Sequence, residues 1–274
     1  MKMSSLYMQN VFIILLTGIS VSSTSHDHWG YSREEQAKWK DNYKSCGGDS
    51  QSPVAIYSSK SIPMNMSALE LIHYRDPLPG PLKLHNNGHT VVLTIGPESR
   101  HRRVPYIFGG MLADEYVFES LHFHWGDVNS LGSEHEFNDV KFTMEMHLVH
   151  RNKKFQNIEE ASHDPKGLAV LAFFFQLREK ENKPLNHIVR HLPRVYESDA
   201  SFVLNETLTL ASILPSFRKM GRFYMYPGSL TTPPCSEAVM WVVFSNPMPV
   251  SDEQVIKNFL LSRQEVERSE FRKK

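Results

Sequence analysis

The stretch Ser120-Leu121-His122-Phe123-His124-Trp125 is the part of the sequence that best indicates the fold of this chain. In an extended strand, successive side chains point to opposite faces of the sheet. His122 and His124 therefore share one face, and the apolar side chains beside them share the other. The stretch predicts a β-strand that packs one face into a core and presents two neighbouring imidazoles on the opposite face.

A second stretch, Glu145-Met146-His147-Leu148-Val149, has the same alternation and places a third imidazole on one face. The segment between the two stretches, residues 126–138, is polar and contains Gly132, so it can turn the chain back on itself. Antiparallel pairing of the two strands brings His147 beside the first two histidines. The sequence therefore predicts three histidines that converge on one ion.

Three neutral imidazoles leave one tetrahedral position open, as a catalytic zinc site requires. Glu145 lies on the same face as His147, and a carboxylate there orients the ring of a metal-binding histidine. Any one of these histidines alone is more often a hydrogen-bonded core or surface residue. The matched alternation in two strands favours the metal site, with Zn²⁺ as cofactor.

Strand patterns dominate the rest of the chain. They are short apolar or alternating runs bounded by Gly, Pro, Asn or Asp. These runs are Leu82–Leu84, Thr90–Ile95, Tyr116–Trp125, Lys141–Val149, Ala169–Gln176 and Ala238–Phe244. Helical periodicity is weak, and its best short examples are Lys183–Leu192 and Glu253–Ser262. No linker or repeat divides the chain after about residue 26, so we expect one mainly β domain with small peripheral helices.

The charge balance points to a small substrate. Among 274 residues, 30 are basic and 30 are acidic, so no net field attracts nucleic acid or an acidic membrane surface. Apolar residues form 41% of the chain, which is enough for a sizeable core. We expect a globular protein, monomeric, that does not bind nucleic acid.

Residues 1–25 have the layout of a signal peptide. Lys2 precedes an apolar run, Val11–Val21, and small residues follow it. The alternative is an N-terminal membrane anchor, which this short run disfavours. No later stretch is apolar enough to cross a bilayer, so we expect a secreted, extracellular protein with no membrane span.

Secretion changes how the two cysteines are interpreted. An oxidising compartment favours a disulfide between Cys46 and Cys235, and the alternative is two separate buried thiols. The same route makes Asn65 and Asn205 candidate glycosylation sites, since each begins an Asn-x-Ser/Thr pattern.

Taken in order, these motifs resemble those of the α-class carbonic anhydrases. Besides the two histidine strands, the anchors are His28-Trp29-Gly30-Tyr31, Gln51-Ser52-Pro53, Asn86-Asn87-Gly88-His89, Gly132-Ser133-Glu134-His135 and Tyr226-Pro227-Gly228-Ser229-Leu230-Thr231-Thr232-Pro233-Pro234-Cys235. The resemblance runs to roughly Gln254. It implies a single domain around a large, mostly antiparallel twisted sheet, with zinc at the bottom of a conical cleft. It also implies reversible hydration of carbon dioxide to bicarbonate.

The resemblance assigns roles around the metal. Thr231 accepts a hydrogen bond from zinc-bound hydroxide and donates its own to Glu134, which orients the attacking oxygen. Without the resemblance, Thr231 and Thr232 fit ordinary turn chemistry before two prolines. Thr232 is expected to contact product or inhibitor. The implied apolar wall for carbon dioxide is Val149, Val170, Leu230 and Trp241, each of which could equally be plain core.

His89 matches the family's proton-shuttle position, and a solvent-facing imidazole suits that task. Tyr31, Asn87 and also Asn86 are expected to order the water chain between His89 and the metal. The alternative for His89 is a surface histidine without a role. The resemblance gives His135 a structural role near Glu145, outside the metal site. His150 points away from His147 by strand alternation.

Two features depart from the family pattern. Ser120 stands where the family usually has Gln beside the first ligand, and loss of such a partner typically weakens metal affinity or activity roughly 10- to 100-fold. At the C-terminus the family continues to a final strand, whereas this chain passes through a charged run. We therefore expect a domain over residues 26–262 with a truncated C-terminal part, followed by a charged tail over residues 263–274.

Two other functions are compatible with parts of this pattern. A non-catalytic binding protein of the same fold generally lacks zinc histidines, and His122, His124 and His147 are all present. A different zinc hydrolase is disfavoured because no His-Glu-x-x-His pattern occurs.

Overall fold

The computed structural model describes residues 29–96, 103–126 and 128–255. Strands are the main regular structure of the described chain. They are β1 Ala55–Ile56, β2 Glu70–Ile72, β3 Leu82–Asn86, β4 Val91–Ile95, β5 Tyr106–Phe108, β6 Tyr116–Trp125, β7 Glu136–Phe137, β8 Met144–Asn152, β9 Leu168–Leu177, β10 Ser201–Leu204, β11 Phe223–Gly228 and β12 Val239–Val250. The helices are short: α1 Arg33–Asn42, α2 Ile158–Ala161, α3 Asn186–Val189 and α4 Leu210–Ile213, with a few 3₁₀ turns.

Ten strands form one large sheet in the order β10-β3-β4-β6-β8-β9-β12-β11, and β2 joins it through β5, which pairs with β6. Only β9 and β12 run parallel within this sheet. β1 and β7 form a separate parallel pair. The predicted mainly β fold with a large, mostly antiparallel sheet is confirmed.

Strand β6 occupies the predicted bounds, but its partner β8 begins three residues later than predicted. The Phe142 carbonyl accepts hydrogen bonds from the backbone N–H groups of Gly132 and Ser133, so residues 141–143 belong to the connection. β12 is longer than predicted because its pairing with β9 resumes after a register shift between Phe244 and Met248.

Helical structure was predicted less well. The predicted helix Lys183–Leu192 is broken into a 3₁₀ turn, the short helix α3 and a second 3₁₀ turn. Helix α1 was missed, because none of its side chains is buried and it has no clear apolar face. Its start is nevertheless capped in the usual way, since Ser32 Oγ accepts from Glu35 N at 3.2 Å.

The sheet is covered by apolar side chains on both faces. Leu121, Met146 and Leu148 lie in the larger hydrophobic cluster on one face. Val149, Val170 and Trp241 lie in a smaller cluster on the other. Because side chains alternate along each strand, the smaller cluster shares its face with the predicted metal ligands.

The predicted disulfide between Cys46 and Cys235 is present, and it joins residues 189 positions apart. No helix in the described ranges is long and apolar enough to cross a membrane. The predicted signal peptide, the tail over residues 263–274 and the truncated C-terminal part fall outside the described residues. The predicted helix Glu253–Ser262 is helical as far as Val255, and its remainder also falls outside.

Candidate metal centre

The three predicted ligands come together on strands β6 and β8. In the antiparallel register His122 lies opposite His147, and His124 lies opposite Glu145. One ring nitrogen from each histidine lies within 4.8 Å of the corresponding nitrogens of the other two. The ring centroids of His124 and His147 are 4.6 Å apart, and those of His122 and His147 are 5.2 Å apart. This spacing allows the three rings to share one ion.

The electrostatic environment of these rings suits a metal. Burial is the main cause that lowers the pKa of His122 to about 3, and charge interaction with the neighbouring His147 is the second cause. Burial also lowers the pKa of His124 well below 6.5, so both rings are neutral at physiological pH. His124 Nε2 is buried and has no hydrogen-bond partner in the structure. An orphaned nitrogen of this kind is costly in a folded protein, and a metal ion would satisfy it.

Glu145 orients His147. The His147 Nε2–H donates to Glu145 Oε1 at 2.8 Å, which leaves Nδ1 with its lone pair for an ion. Glu145 Oε2 accepts from the backbone N–H groups of Glu134 and His135 at 2.9 and 2.8 Å. Burial alone would raise the pKa of Glu145, but charge interaction and hydrogen bonding with His135 and His147 outweigh it and hold the pKa well below 4.5.

A second group of potential ligands, His135, Glu145 and His147, lies beside the first. His135 is fully buried, and both its nitrogens are engaged: Nδ1 with Glu145 Oε1 at 2.6 Å and Nε2 with Tyr226 Oη at 2.6 Å. This group therefore holds itself together by hydrogen bonds, in keeping with the structural role expected for His135. His150 lies on the opposite face, with Nε2 2.6 Å from Tyr74 Oη.

Glu134 and Thr231 also meet at this site. Glu134 Oε1 lies 3.2 Å from His124 Nδ1. Burial raises the pKa of Glu134 to about 7, while nearby His147 and a hydrogen bond with Thr231 act to lower it. A carboxyl group in contact with both a candidate ligand and Thr231 can accept a hydrogen bond from the threonine hydroxyl, as the resemblance implies.

The four residues expected to form the apolar wall pack together beside the histidines, while their contact with substrate stays a prediction. Val149 pairs with Val170 across β8 and β9, and Val170 pairs with Trp241 across β9 and β12. Leu230 packs against the same cluster. Trp241 Nε1 donates to the Ser229 carbonyl at 3.0 Å, which fixes the indole within the wall.

His89 is half-buried at the turn between β3 and β4. Its ring stacks on Trp29 with centroids 3.7 Å apart, and Tyr31 meets it edge-on at 5.8 Å. Asn87 Oδ1 accepts from the backbone N–H groups of His89 and Thr90, so this side chain shapes the turn. The expected water-ordering role of Asn87 and Tyr31 stays a prediction.

Asn86 is buried, and its amide donates to the carbonyls of Val195 and Tyr196 at 3.1 and 3.2 Å. Its side chain is thus occupied in anchoring the turn. Ser120 pairs with Val149 across the strands, on the face of the histidines. The Thr232 carbonyl accepts from Cys235 N at 2.9 Å, which holds its loop. The assigned contacts of the Ser120 and Thr232 side chains stay predictions.

The sequence reasoning missed a set of residues behind the site. Tyr226 and Ser52 appeared only as parts of family motifs, yet their side chains meet at 2.9 Å, next to His135. Their positions are 174 residues apart, so no local pattern could connect them. The available signal was that both polar side chains lie in motifs that resemble those of the family.

Comparison with known proteins settles the family. The model of the eukaryotic-type carbonic anhydrase family matches residues 34–273. The chain belongs to the eukaryotic-type carbonic anhydrase family. Mouse (Mus musculus) carbonic anhydrase 15 is 36% identical over 250 residues, covering 89% of this chain and 76% of that protein. The match to the family model extends beyond Gln254, where the motif resemblance ends.

Other carbonic anhydrases are similar at comparable levels. Dog (Canis lupus familiaris) carbonic anhydrase 6 is 35% identical, covering 86% of this chain and 73% of that protein. Human (Homo sapiens) carbonic anhydrase 7 is also 35% identical, covering 85% of this chain and 86% of that protein. Membership of this family indicates an enzyme that acts on a small molecule. This interpretation agrees with the geometry of the three histidines.

Proposed function

We propose that this chain is a zinc enzyme that catalyses the reversible hydration of carbon dioxide to bicarbonate and a proton. The observation that carries the proposal is the convergence of His122, His124 and His147, together with the buried, unpartnered Nε2 of His124. The three imidazoles would hold the ion and leave one position open for water. Zinc in such a site acidifies a bound water, a chemistry for which carbonic anhydrases are the standard example.

The protein's own residues supply orientation and an apolar binding surface. The Thr231 hydroxyl donates a hydrogen bond to Glu134, so its oxygen can accept one and aim the attacking group. Val149, Val170 and Trp241 form an apolar surface where carbon dioxide can lie without losing hydrogen bonds. Because both reactants are held in position, a bimolecular step becomes an effectively unimolecular one and is faster.

His89 is proposed to carry the released proton to solvent. The residue is half-buried at the turn between β3 and β4, and an imidazole is a suitable proton carrier. Stacking on Trp29 gives the ring a defined resting position. Tyr31, in edge contact with His89, is placed to help order water near it.

Secretion is part of the proposal. The Cys46–Cys235 disulfide is typical of an oxidising compartment, and the first 25 residues have a signal-peptide layout. Asn65 and Asn205 are both exposed and therefore accessible for glycosylation. We propose an extracellular, monomeric enzyme.

The proposal is tested on purified mature protein. Zinc content is measured after dialysis, and the acidification rate is measured in dissolved carbon dioxide with and without a sulfonamide. We expect one zinc per chain and sulfonamide-sensitive hydration. His122→Ala should lose both zinc and activity, whereas His163→Ala, at an exposed position, should keep both. Stoichiometric zinc without hydration would instead support a binding protein.

The shuttle is tested separately with His89→Ala. In weak buffer we expect turnover to fall by up to about 100-fold, the lower end of general acid–base contributions. Added imidazole should restore turnover, because a free base can replace the missing carrier. His85→Ala, at a half-buried histidine on β3, is the matched control and should change little. An unchanged rate in His89→Ala would remove this residue from the proton path.

A further inference from the structure

Strand β6 contains one residue more than its pairing with β8 accommodates. Phe118 lies opposite His150. Ser120 lies opposite Val149, so two steps along β6 correspond to one step along β8. Glu119 is the extra residue, and β6 therefore has a β-bulge at this position. The bulge lies in the strand that carries two of the three predicted metal ligands.

The bulge sets the faces of the two halves of β6. Phe118 and Leu121 both lie in the larger hydrophobic cluster, although they are three positions apart. In a regular strand such an odd spacing would send the two side chains to opposite faces. With the extra residue, both apolar halves stay buried while His122 and His124 point away from the larger cluster. A bulge placed beyond His122 would turn that ring toward the core.

The bulged residue is tied to the neighbouring strand by its side chain. Arg151 Nε donates to Glu119 Oε1 at 2.6 Å, and the two side chains are 12% and 5% exposed. Arg151 Nη1 also donates to the Phe155 carbonyl, in the connection between β8 and α2. A bulge disrupts the backbone ladder locally. The ion pair therefore adds a side-chain connection between the bulge and β8.

Arg151 approaches the bulge from the face of the metal ligands. It lies two positions after Val149 and four after His147 on β8, so the three side chains share one face. Its partner on β9 is Leu168, which lies in the smaller cluster on that face. Desolvation offsets much of the attraction in such a pair, so fixing one arrangement of the chain is the role that accounts for it.

We propose that the Glu119–Arg151 ion pair fixes the position of the bulge in β6. The fixed bulge keeps His122 and His124 on the face of His147. Glu119 and Arg151 are positioning residues, because they act on the ligands through the backbone of β6. The inference rests on the proposed metal site, but the register of β6 against β8 can be measured without metal.

The test removes both charges at once, with Glu119→Met and Arg151→Met in one protein. Replacing both partners avoids leaving a single buried charge, so the fold should be retained. Without the ion pair the bulge can shift along β6. We expect NMR of the zinc-free wild type to show backbone contacts between Ser120 and Val149, and these should weaken in the double variant. The zinc dissociation constant should rise about tenfold, the lower end for loss of a group outside the ligand shell.

The exposed pair of Glu115 with Lys153 provides the matched control. It joins the same two strands just outside their paired ends, with side chains 44% and 52% exposed. Glu115→Met with Lys153→Met should leave the contacts between Ser120 and Val149 and the zinc affinity unchanged. Arg151→Lys is the conservative variant. It keeps the positive charge but loses the planar group that serves two acceptors, so it should weaken zinc binding less than the double variant does.

The outcomes separate the two proposals. Unchanged backbone contacts or unchanged zinc affinity in the double variant overturns this inference alone, even if the Tm falls, because the pair then only stabilises the fold. A wild type that binds zinc without contacts between Ser120 and Val149 does the same. If the double variant does not fold, zinc affinity in Arg151→Lys equal to that of the wild type overturns the inference. A wild type with the expected register but without zinc binding would instead contradict the proposed function.

Discussion

At the scale of single residues, the proposed metal site depends on hydrogen bonds that leave one nitrogen of a histidine ring free. His147 gives Nε2–H to Glu145 and keeps Nδ1 for the metal side. His124 has its Nε2 buried without a partner. The nitrogen without a hydrogen-bond partner is therefore Nδ1 in His147 and Nε2 in His124, a difference that follows from the side-chain partners and not from residue type.

Thr231 provides a residue-scale prediction. Thr231→Ala removes the hydroxyl that donates a hydrogen bond to Glu134, so the attacking group loses its orientation. We expect kcat/KM for carbon dioxide hydration to fall about 100-fold, the size of effect that small misplacements produce. Zinc content should not change. Thr231→Ser keeps the hydroxyl and should retain most of the activity; similar losses in both variants would show that the hydroxyl is not responsible.

At the scale of elements, the site depends on the alternation and register of β6 and β8. Leu121 and Leu148 face each other across these strands in the larger cluster and are fully buried. Their burial keeps the strands from slipping, because a shift of one residue would move every ligand to the wrong face. The apolar face of each strand is thus what holds the polar face in place.

The disulfide gives an element-scale prediction. Cys46 follows α1, and Cys235 follows the Thr231 loop, so the bond ties the N-terminal segment to the site. Replacing both with Ser should lower the free energy of unfolding by about 3 to 5 kcal/mol, as expected from the entropy of a long closed loop. Urea unfolding measures this. Wild type in reductant should show the same loss, and a loss below about 1 kcal/mol would contradict the prediction.

At the scale of the whole molecule, stability should fall as the solution becomes acidic. Burial lowers the pKa of His150 to about 3, while hydrogen bonds from the ring to backbone carbonyls partly offset this. The unfolded chain binds the proton near pH 6.5, so it gains protons before the folded chain does. The stabilisation is therefore complete above pH 6.5 and is lost progressively as the pH falls toward 3.

For one such histidine the free energy of unfolding changes with pH by about 1.4 kcal/mol per pH unit. His150→Gln should reduce the pH dependence of the unfolding free energy between pH 7 and pH 5 by about this slope. Glu134 titrates in the opposite sense in this window, but it is present in both proteins and cancels in the comparison. Urea unfolding at the two pH values measures this. If the unfolding free energy changes equally with pH in both proteins, His150 is not a source of the pH dependence.

The sequence by itself determined the strand that carries His122 and His124, the matching strand of His147, and the faces on which all three lie. Alternation is a local property with a period of two residues, so it can be read without knowing the fold. The short helices were predicted poorly, because α1 buries no side chain and its sequence carries no periodic signal.

Only the tertiary structure decided which distant groups meet. The pairing of Glu134 with Thr231, the stacking of His89 on Trp29 and the contact of His135 with Tyr226 each join positions far apart in the chain. Such contacts depend on how ten strands order themselves in one sheet. That order is set by packing of the whole core, which no local pattern records.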